Sequence, residues 1–255
     1  MNPLYKYNKL KISIITVCFN SSKTIEETIK SVANQTYNNI EYIVIDGNST
    51  DNTLDILKKN DSKISNWISE PDKGLYDAMN KGIEMAKGDY VGILNSDDVF
   101  TNNKVIEDIV SFLRSKTIDA CIGNITQHKD GKLVRTYSSK YWQPEKLKIG
   151  FMPPHPSIFF KRVLFHKLGL YDLTFKSGAD YELIIRYFLK NNISFKYSGI
   201  TTTSMAMGGI SSSGVSSYRM ITKEICKALR MNNIAFSPLK VKLRVIWKIW
   251  SYLYK

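Results

Sequence analysis

Short apolar runs alternate with segments of helical periodicity over the first hundred residues of the chain. Four runs have the length and β-branched content of buried strands. They are Ile12–Val17, Tyr42–Ile45, Trp67–Ser69 and Tyr90–Leu94. Between these runs, apolar residues three or four positions apart predict amphipathic helices. They are Ile25, Ile29 and Val32, then Leu54 and Leu57, then Leu75, Met79, Ile83 and Ala86. The order β-α-β-α-β-α-β predicts a Rossmann-like α/β fold, in which a mostly parallel sheet carries helices on both faces.

Polar residues follow three of the predicted strands at the point where each strand ends. They are Asn20, Asp46 and the segment Asn95–Asp98. Parallel strands end at one edge of their sheet, where open α/β folds bind ligands, so these side chains are predicted to line a common rim. Each residue type is also a common turn former, so the prediction depends on the three positions taken together.

The second half of the chain has weaker periodicity. Thr126–Gly131 predicts a hairpin turn, and Phe151–Pro156 is a proline-rich loop that contains His155. Ser177–Asp180 opens a predicted helix with an apolar stripe. Met207–Ser217 is rich in glycine and serine and is predicted to be a mobile loop, in which Met207–Ser212 is the candidate for a lid that closes over a ligand.

Composition restricts the class of protein and its partners. Hydrophobic residues make up 43% and charged residues 23%, which is ordinary for a soluble globular chain. Thirty-six basic against 23 acidic side chains give a net charge of +13, which favours nucleic acid, an acidic membrane surface or a phosphorylated ligand. The three cysteines and three histidines lack metal-ligand spacing, which argues against a zinc module. With neither a secretory signal pattern nor an apolar run of about 20 residues, we expect a cytoplasmic protein.

The C-terminal segment Pro238–Lys255 is basic and aromatic and contains no acidic residue. Its apolar residues recur at helical spacing. They are Leu239, Leu243, Ile246, Trp250 and Leu253. Because Lys240, Arg244 and Lys248 fall on another face, the pattern is typical of a helix that lies on an anionic membrane surface. A helix that packs on the protein body with its lysines in water fits the same pattern.

We expect the chain to comprise two parts. Residues 1–215 form the main domain, with one half at about 10–100 and the other at 101–215. Residues 216–255 form a basic helical extension, which carries the amphipathic tail.

Asp97 and Asp98 are adjacent carboxylates just after the fourth predicted strand. Two such groups repel each other unless a cation or a hydrogen-bond donor compensates. Hard divalent ions such as Mg²⁺ and Mn²⁺ prefer oxygen ligands of this kind and complete their shell with substrate phosphates. A solvated surface turn is the alternative interpretation.

Four segments resemble, in order and spacing, the family 2 glycosyltransferases with the GT-A fold. They are Ser13–Asn20, Val44–Asp51, Glu70–Gly82 and Asn95–Asp98. The similarity is greatest to the bacterial enzymes that build O-antigen or capsular repeat units. It covers residues 10–215, so it implies a GT-A fold and a sugar-transfer activity for the main domain. It also implies that the half at about 10–100 is the nucleotide-sugar half and that the half at 101–215 is the acceptor half.

The resemblance also implies which residues surround the nucleotide sugar. They are Thr16, Cys18, Asn20, Asp46, Asp72, Lys73, Asn80, Asp97 and His155. Asp46 matches the acid that reads the uracil ring of a UDP-sugar, and the segment 16–20 matches the wall against which the base lies. The segment 72–80 borders the ribose and the donor sugar. His155 matches a loop beneath the acceptor site, where it would bond the diphosphate or the acceptor, and a local structural role fits it equally.

The metal motif of the family is usually Asp-x-Asp-Asp, whereas this chain has Asn95 at the first acid. The resemblance therefore places the metal on Asp97 and Asp98. It implies Mn²⁺ or Mg²⁺ that bridges the diphosphate and acts as a Lewis acid on the departing UDP.

The segment Gly178–Leu183 resembles the catalytic motif of the family, with Ala179 in place of its first acid. An inverting transfer needs a base that takes the proton of the acceptor hydroxyl as its oxygen attacks the anomeric carbon. Asp180 is the predicted base and Glu182 the alternative. An acid in the first turn of a helix also fits capping or compensation of the helix dipole.

The sequence thus predicts an inverting glycosyltransferase that moves a hexose from a UDP-sugar to a lipid-pyrophosphate-linked saccharide in surface polysaccharide synthesis. We expect it on the inner face of the bacterial cell membrane as a peripheral protein. A nucleotidyltransferase that makes a nucleotide sugar is one alternative, although no glycine-rich basic loop follows the first strand. A nucleic-acid-binding module is another, but the basic and aromatic residues cluster only in the terminal helix, so no nucleic-acid partner is expected.

Overall fold

The computed structural model describes residues 10–114, 116–129, 131–206 and 214–244. The strands are β1 Ile12–Cys18, β2 Ile40–Asp46, β3 Asn66–Ser69, β4 Tyr90–Ile93, β5 Asp98–Phe100, β6 Ala120–Lys129, β7 Lys132–Tyr137, β8 Ile158–Lys161 and β9 Phe195–Ala206. The α-helices are α1 Ile25–Ala33, α2 Thr53–Lys59, α3 Leu75–Met85, α4 Val105–Arg114, α5 Val163–Leu168, α6 Ala179–Ile184 and α7 Gly214–Met231. A wider helical turn, Ile185–Lys190, continues α6, and short 3₁₀ turns lie at Asp61–Lys63, Pro144–Ile149 and His155–Ser157.

The nine strands of the described residues form one sheet in the order β3-β2-β1-β4-β8-β6-β9-β5, and β7 pairs with β6. The first four of these strands run parallel, as the β-α-β pattern predicts. The other half is mixed: β8 is antiparallel to β4 and β6, β6 is parallel to β9, and β5 is antiparallel to β9. The predicted hairpin is the antiparallel pair of β6 and β7.

The sheet has an apolar core on each of its faces. All seven residues of β1 are buried, and they alternate between the two cores: Ile15 and Val17 face one core, whereas Ile12 and Ile14 face the other. Strands that are covered on both sides read as continuous apolar runs, which explains why the sequence shows them so clearly. The core beside Ile15 contains residues of α3, α5, α6 and α7, and the opposite core contains residues of α1, α2 and α4. Helices therefore cover both faces, as predicted.

The buried face of α3 differs from the predicted one by a residue. Leu75 is 51% exposed, and the buried positions begin with Tyr76 and continue through Met79 and Ile83. The reason is that the aromatic ring of Tyr76 takes the inner position, where its centroid lies 5.6 Å from that of Tyr171.

Helix α7 packs into the main core. Ile225 and Leu229 belong to the core that contains α6, and Glu224 accepts hydrogen bonds from the backbone N–H groups of Lys176 and Ser177. The boundary expected at residue 215 thus falls in the first turn of α7 and does not separate two cores. Residues 214–217, predicted as loop, are helical, and residues 207–213, which include the predicted lid 207–212, lie outside the described residues.

Residues 238–244 form the helical start of the C-terminal tail. Val241 and Arg244 are buried, whereas Leu239 is 64% and Leu243 is 42% exposed. Arg244, predicted to lie on a solvated basic face, is buried instead. Its guanidinium lies 5.0 Å over the ring of Tyr218, and this cation–π contact compensates for the loss of water. Residues 245–255 lie outside the described residues. None of the described helices is both long enough and apolar enough to cross a membrane.

Candidate active site

The carboxyl ends of β1 and β2 meet at one edge of the sheet, where Cys18 pairs with Asp46 in the parallel register. The hydroxyl of Ser21, just beyond β1, lies 2.9 Å from that of Ser96. This contact joins the end of the first strand to the acidic segment that follows β4. The polar residues predicted to share a rim therefore do so.

Asp46 is fully buried beneath this rim. Its Oδ2 accepts hydrogen bonds from the backbone N–H of Ser49 at 2.9 Å and the hydroxyl of Ser69 at 2.7 Å. Its Oδ1 accepts from the Ser49 hydroxyl and the Cys18 thiol. Burial, reinforced by the charge of Asp46, raises the pKa of the Cys18 thiol, so the thiol remains a donor. The carboxylate has four donors inside the protein, which fills its usual accepting capacity.

Asn20 connects the turn after β1 to the turn after β2. It adopts a φ of 50°, a left-handed conformation in which asparagine is enriched. Its Oδ1 accepts hydrogen bonds from the N–H groups of Thr50 at 2.9 Å and Asp51 at 3.3 Å. Thr16 lies deeper in β1, where its buried hydroxyl accepts a hydrogen bond from Tyr42 at 3.2 Å. The side chains of Thr16 and Asn20, both predicted to form the wall beside the base, are therefore hydrogen-bonded within the protein.

Phe19 and Asp72 are two of the side chains through which this rim meets solvent. Phe19 is 62% exposed, and Asp72 is half-buried. A Cβ atom at Gly47 would lie 2.4 Å from Oδ2 of Asp72 and 3.5 Å from the Phe19 ring, so the glycine makes room for the carboxylate. Oδ1 of Asp72 accepts a hydrogen bond from Gly74 at 2.7 Å, and the neighbouring Lys73 is exposed. An aromatic residue directly after a buried strand is the sequence signal that singles out Phe19.

The side-chain amide of Asn80 is hydrogen-bonded within the protein through both its nitrogen and its oxygen. Its Nδ2 donates to the carbonyl of Tyr171, and its Oδ1 accepts from the N–H of the same residue, both at 2.9 Å. The predicted donor-binding amide is therefore occupied by backbone 91 residues further along the chain.

The acidic segment contains one exposed and one buried carboxyl group. Asp97 is exposed, whereas Asp98 is 1% exposed. Asn95 donates to Oδ2 of Asp98 at 3.1 Å, and the Oδ1 atoms of Asn95 and Asp98 are buried without a hydrogen-bond partner. Burial, together with the charge of Asp97, raises the pKa of Asp98 to about 8. Buried oxygen atoms that lack donors, beside an exposed carboxylate, fit a divalent cation.

Asp180 lies at the start of α6 in a cluster with Tyr76, His155 and Tyr171, which we term the Asp180 cluster. Its Oδ1 accepts hydrogen bonds from the Tyr76 hydroxyl at 3.2 Å and the N–H of Tyr181 at 2.8 Å. Nε2 of His155 lies 2.6 Å from the Tyr171 hydroxyl. Burial raises the pKa of Asp180, although the charge of His155 in its protonated form and the two donors oppose the shift. Burial also lowers the pKa of His155, so its imidazole is neutral at pH 7.

Glu182 lies two residues further along α6 and has other partners. Its carboxylate accepts hydrogen bonds from Nε of Arg186 at 3.0 Å and Nη2 at 2.8 Å, and from Nδ2 of Asn232 at 3.0 Å. Arg186 also donates to the carbonyls of Gly169 and Leu170. The structure therefore places Glu182 in a buried ion pair with Arg186, while the hydrogen bond from Asn232 links α6 to the residue after α7, apart from the Asp180 cluster.

Comparison with known proteins gives this site a context. The profile of the family described as Glycosyl transferase family 2 matches residues 13–179. An uncharacterized glycosyltransferase of Mycobacterium tuberculosis is 37% identical over 177 residues, which cover 69% of this chain and 68% of that protein. WfaP of Escherichia coli, a UDP-Glc:alpha-D-GlcNAc-diphosphoundecaprenol beta-1,3-glucosyltransferase, is 32% identical over 175 residues, which cover 68% of each chain.

Solved structures share the fold at low sequence identity. Staphylococcus aureus TarS 1–349 in complex with UDP-GlcNAc has a TM-score of 0.68 and 20% identity, and the match covers 93% of this chain and 72% of that one. In another TarS structure, the match covers 41% of the TarS chain. The mannosyltransferase PcManGT of Pyrobaculum calidifontis, in complex with GDP-Man and Mn²⁺, has a TM-score of 0.61 and 16% identity over 98% of this chain and 82% of that one.

The open sheet, with helices on both faces and polar residues at its strand ends, has the GT-A fold of nucleotide-sugar-dependent transferases. Since the family profile matches well over half of its length, the chain belongs to glycosyl transferase family 2. The protein is therefore a glycosyltransferase.

Proposed function

We propose that the protein is an inverting glycosyltransferase that moves a hexose from a UDP-sugar to a saccharide acceptor in the synthesis of a bacterial surface polysaccharide. The observation that carries this proposal is the half-buried carboxylate of Asp180, which has a raised pKa and accepts its two protein hydrogen bonds through one oxygen only. The relative WfaP, a glucosyltransferase that takes UDP-Glc and a GlcNAc-diphosphoundecaprenol acceptor, supports a UDP-hexose donor and a lipid-diphosphate-linked acceptor.

Asp180 is the proposed general base. Its Oδ2 takes the proton of the acceptor hydroxyl while the hydroxyl oxygen forms a bond to the anomeric carbon. The bond from that carbon to the β-phosphate oxygen breaks on the opposite face, and its electron pair leaves with UDP. Configuration at the anomeric carbon is thereby inverted. The raised pKa of Asp180 suits this role, because a base is most effective when its pKa lies near the working pH.

The nucleotide is proposed to bind over the rim formed by Phe19 and Asp72. The exposed ring of Phe19 offers a surface on which the uracil ring stacks, and the Asp72 carboxylate can accept a hydrogen bond from the uracil N–H. Asp46, whose accepting capacity is filled, then acts from below by fixing the turn at Ser49. Lys73 is exposed beside Asp72 and places a positive charge near the diphosphate.

Mn²⁺ or Mg²⁺ is the proposed cofactor. The oxygen ligands that fit it are the exposed carboxylate of Asp97 and the unpartnered Oδ1 atoms of Asn95 and Asp98. No three His, Cys, Asp or Glu side chains gather into a metal site in the described part of the chain, so the donor diphosphate would complete the shell. The bound ion supplies charge neutralisation for the leaving UDP.

A lipid-linked acceptor implies a protein that works at a membrane surface, which we propose to be the cytoplasmic face of the cell membrane. The described start of the tail supports attachment through its apolar residues. Val241 and Arg244 hold the segment 238–244 on the protein, while Leu239 and Leu243 remain exposed. These two leucines begin the stripe that continues in the sequence as Ile246, Trp250 and Leu253, and the net charge of +13 favours anionic lipid.

Membrane attachment can be tested without disturbing the core. We expect L239S/L243S to sediment less with phosphatidylglycerol vesicles than the wild type. L133S is the matched control, because Leu133 is 57% exposed on β7, away from the tail. Equal sedimentation of wild type and L239S/L243S would refute attachment through the tail.

The proposed donor chemistry is tested by calorimetric titration of UDP, ADP and GDP with and without Mn²⁺. We expect UDP to bind most tightly and only with the metal. The variant D97A should lose the UDP binding that depends on Mn²⁺, whereas D55A, which removes an exposed acid on α2, should keep it.

The variant D180N tests the proposed base. It should bind UDP normally and lose transfer by a factor of roughly 10²–10⁴. Near wild-type kcat in D180N would show that another group is the base.

A further inference from the structure

One face of α3 contacts both sides of the Asp180 cluster. Tyr76 and Asn80 lie one helical turn apart, so their side chains project from the same face. The Tyr76 hydroxyl donates to Oδ1 of Asp180 at 3.2 Å. The Asn80 amide holds the backbone of Tyr171, whose hydroxyl lies 2.6 Å from Nε2 of His155. The two tyrosine rings pack with centroids 5.6 Å apart.

We propose that Tyr76 is a positioning residue for the base: its hydroxyl occupies Oδ1 of Asp180, fixes the plane of the carboxylate and leaves Oδ2 to take the acceptor proton. This inference rests on the proposed function, in which Asp180 is the base. The backbone N–H of Tyr181 donates to the same Oδ1 at 2.8 Å. Within the described chain, the hydrogen bonds that other residues donate to Asp180 both go to Oδ1, so the two carboxylate oxygens are distinguished by their surroundings.

The groups that face Asp180 determine how the loss of this bond acts. They are Tyr76 from α3, His155 from its 3₁₀ turn, Tyr171 from the loop before α6 and the N–H of Tyr181 from α6 itself. The imidazole of His155 is neutral at pH 7. Burial and the nearby Asp180 charge raise the pKa of Tyr76, so its hydroxyl stays protonated and only donates to the carboxylate. Because the donated bond favours the ionised carboxylate, its removal raises the pKa of Asp180 further.

The inference is tested by ¹³C NMR titration of the aspartate carboxyl groups in the full chain, with D180N to assign the Asp180 signal. We expect Y76F to raise the pKa of Asp180 by about half a unit to one unit, as the loss of one hydrogen bond to a charged group should. The matched control is Y187F: Tyr187 is as deeply buried, but its hydroxyl donates to the carbonyl of Gly169.

Incorporation of 3-fluorotyrosine at position 76 provides the opposite change with almost no change in shape. The fluorinated phenol is a stronger donor, so the pKa of Asp180 should fall. A packing role for Tyr76 predicts no such reversal of sign. Equal Asp180 pKa values in wild type, Y76F and Y187F would overturn the proposal. A shift in the same direction for phenylalanine and 3-fluorotyrosine would overturn it as well.

Kinetics link this titration to transfer. With a UDP-hexose that the wild type turns over, Y76F should lower kcat about tenfold, leave the donor KM unchanged and move the acid limb of kcat/KM to higher pH. A Y76F profile that coincides with that of Y187F would contradict the inference while D180N still tests the base. If the wild type transfers sugar from no UDP-hexose, the proposed function fails, and the titration still decides whether Tyr76 controls Asp180.

Discussion

The side-chain amide of Asn80 makes a pair of hydrogen bonds with the backbone of Tyr171, in the way that the backbone of a neighbouring β-strand would. The amide both donates to the carbonyl of Tyr171 and accepts from its N–H, at 2.9 Å in each case. Both residues are buried. One side chain of α3 thus fixes the backbone of the loop before α6, and with it the tyrosine hydroxyl that meets His155.

Loss of the Asn80 amide should destabilise the whole protein. In N80A, the N–H and carbonyl of Tyr171 are buried without partners, at a cost of about 1–3 kcal/mol each. We expect the free energy of unfolding, from urea titration followed by fluorescence, to fall by about 2–4 kcal/mol. Asn52 is the control, since it is exposed and makes no side-chain capping bond, and N52A should change the value by less than about 0.5 kcal/mol. Similar stabilities of the two variants would mean that Tyr171 finds other partners.

A methyl group at Gly47 should weaken nucleotide binding more than it weakens the fold. The new Cβ would lie 2.4 Å from Oδ2 of Asp72, which must rotate away. Because the obstacle is the tip of a side chain, the cost in stability should stay below about 1 kcal/mol. UDP binding by calorimetry should weaken about tenfold, as expected for one lost polar contact. G47A/D72A should bind UDP as D72A does, and a further loss in the double variant would exclude displacement of Asp72 as the cause.

Glu182 and Asp180 should respond in opposite ways to loss of charge. E182Q leaves Arg186 without its buried counter-charge, so the free energy of unfolding should fall by about 3 kcal/mol, while folded enzyme keeps its kcat. D180N should lose turnover with little loss of stability. Thermal melts and initial rates of both variants check this. A large loss of kcat in folded E182Q would return Glu182 to the candidates for the base.

Stability at low pH should depend on Glu41. It is buried, which by itself would raise its pKa, but hydrogen bonds from the Ser13 hydroxyl, the Lys87 N–H and Lys11 lower it overall. A carboxyl group whose pKa is lowered on folding contributes stability above its unfolded pKa of about 4.3, and this is lost as the pH falls through the folded value. E41Q should therefore be about 1–2 kcal/mol less stable than wild type at pH 7, and the difference should shrink as the pH falls below about 4, through the lowered pKa of folded Glu41.

The control for Glu41 is Glu145, which forms an ion pair with Lys148 while remaining largely exposed. Urea titrations of E145Q should match the wild type within about 0.5 kcal/mol at every pH. A constant difference between E41Q and wild type from pH 3 to pH 8 would refute the titration of Glu41 as its source.

The parallel half of the sheet was predictable because its strands are buried on both faces. Runs such as Ile12–Val17 are then apolar throughout, and the intervening helices show their period directly. In the mixed half, β9 is only partly buried, and its neighbour β6 lies far away in sequence. Local patterns do not specify such pairings, so the order β8-β6-β9-β5 came only from the structure.

Candidate residues of the site were predictable by position, whereas their partners were not. The strand-end rule placed Asp46 and Asp97 near a common edge. It did not indicate that Asp46 accepts four hydrogen bonds within the protein, or that Asn80 and Glu182 have partners 91 and 50 residues away. The position of Phe19 directly after a buried strand is visible in the sequence, but its exposure is not, because a single aromatic residue carries no periodic signal.

The acidic segment depends on a strand that is synthesised long after it. Among the described strands, β5 pairs only with β9, and Phe100 lies opposite Thr203. At about 5–20 residues per second, a ribosome needs on the order of ten seconds to travel from one to the other. A nascent chain can complete its parallel strands in that interval while its acids still lack their edge partner. Incomplete chains released by stalled ribosomes therefore contain the acidic residues without the β5–β9 pairing that holds them at the edge of the sheet.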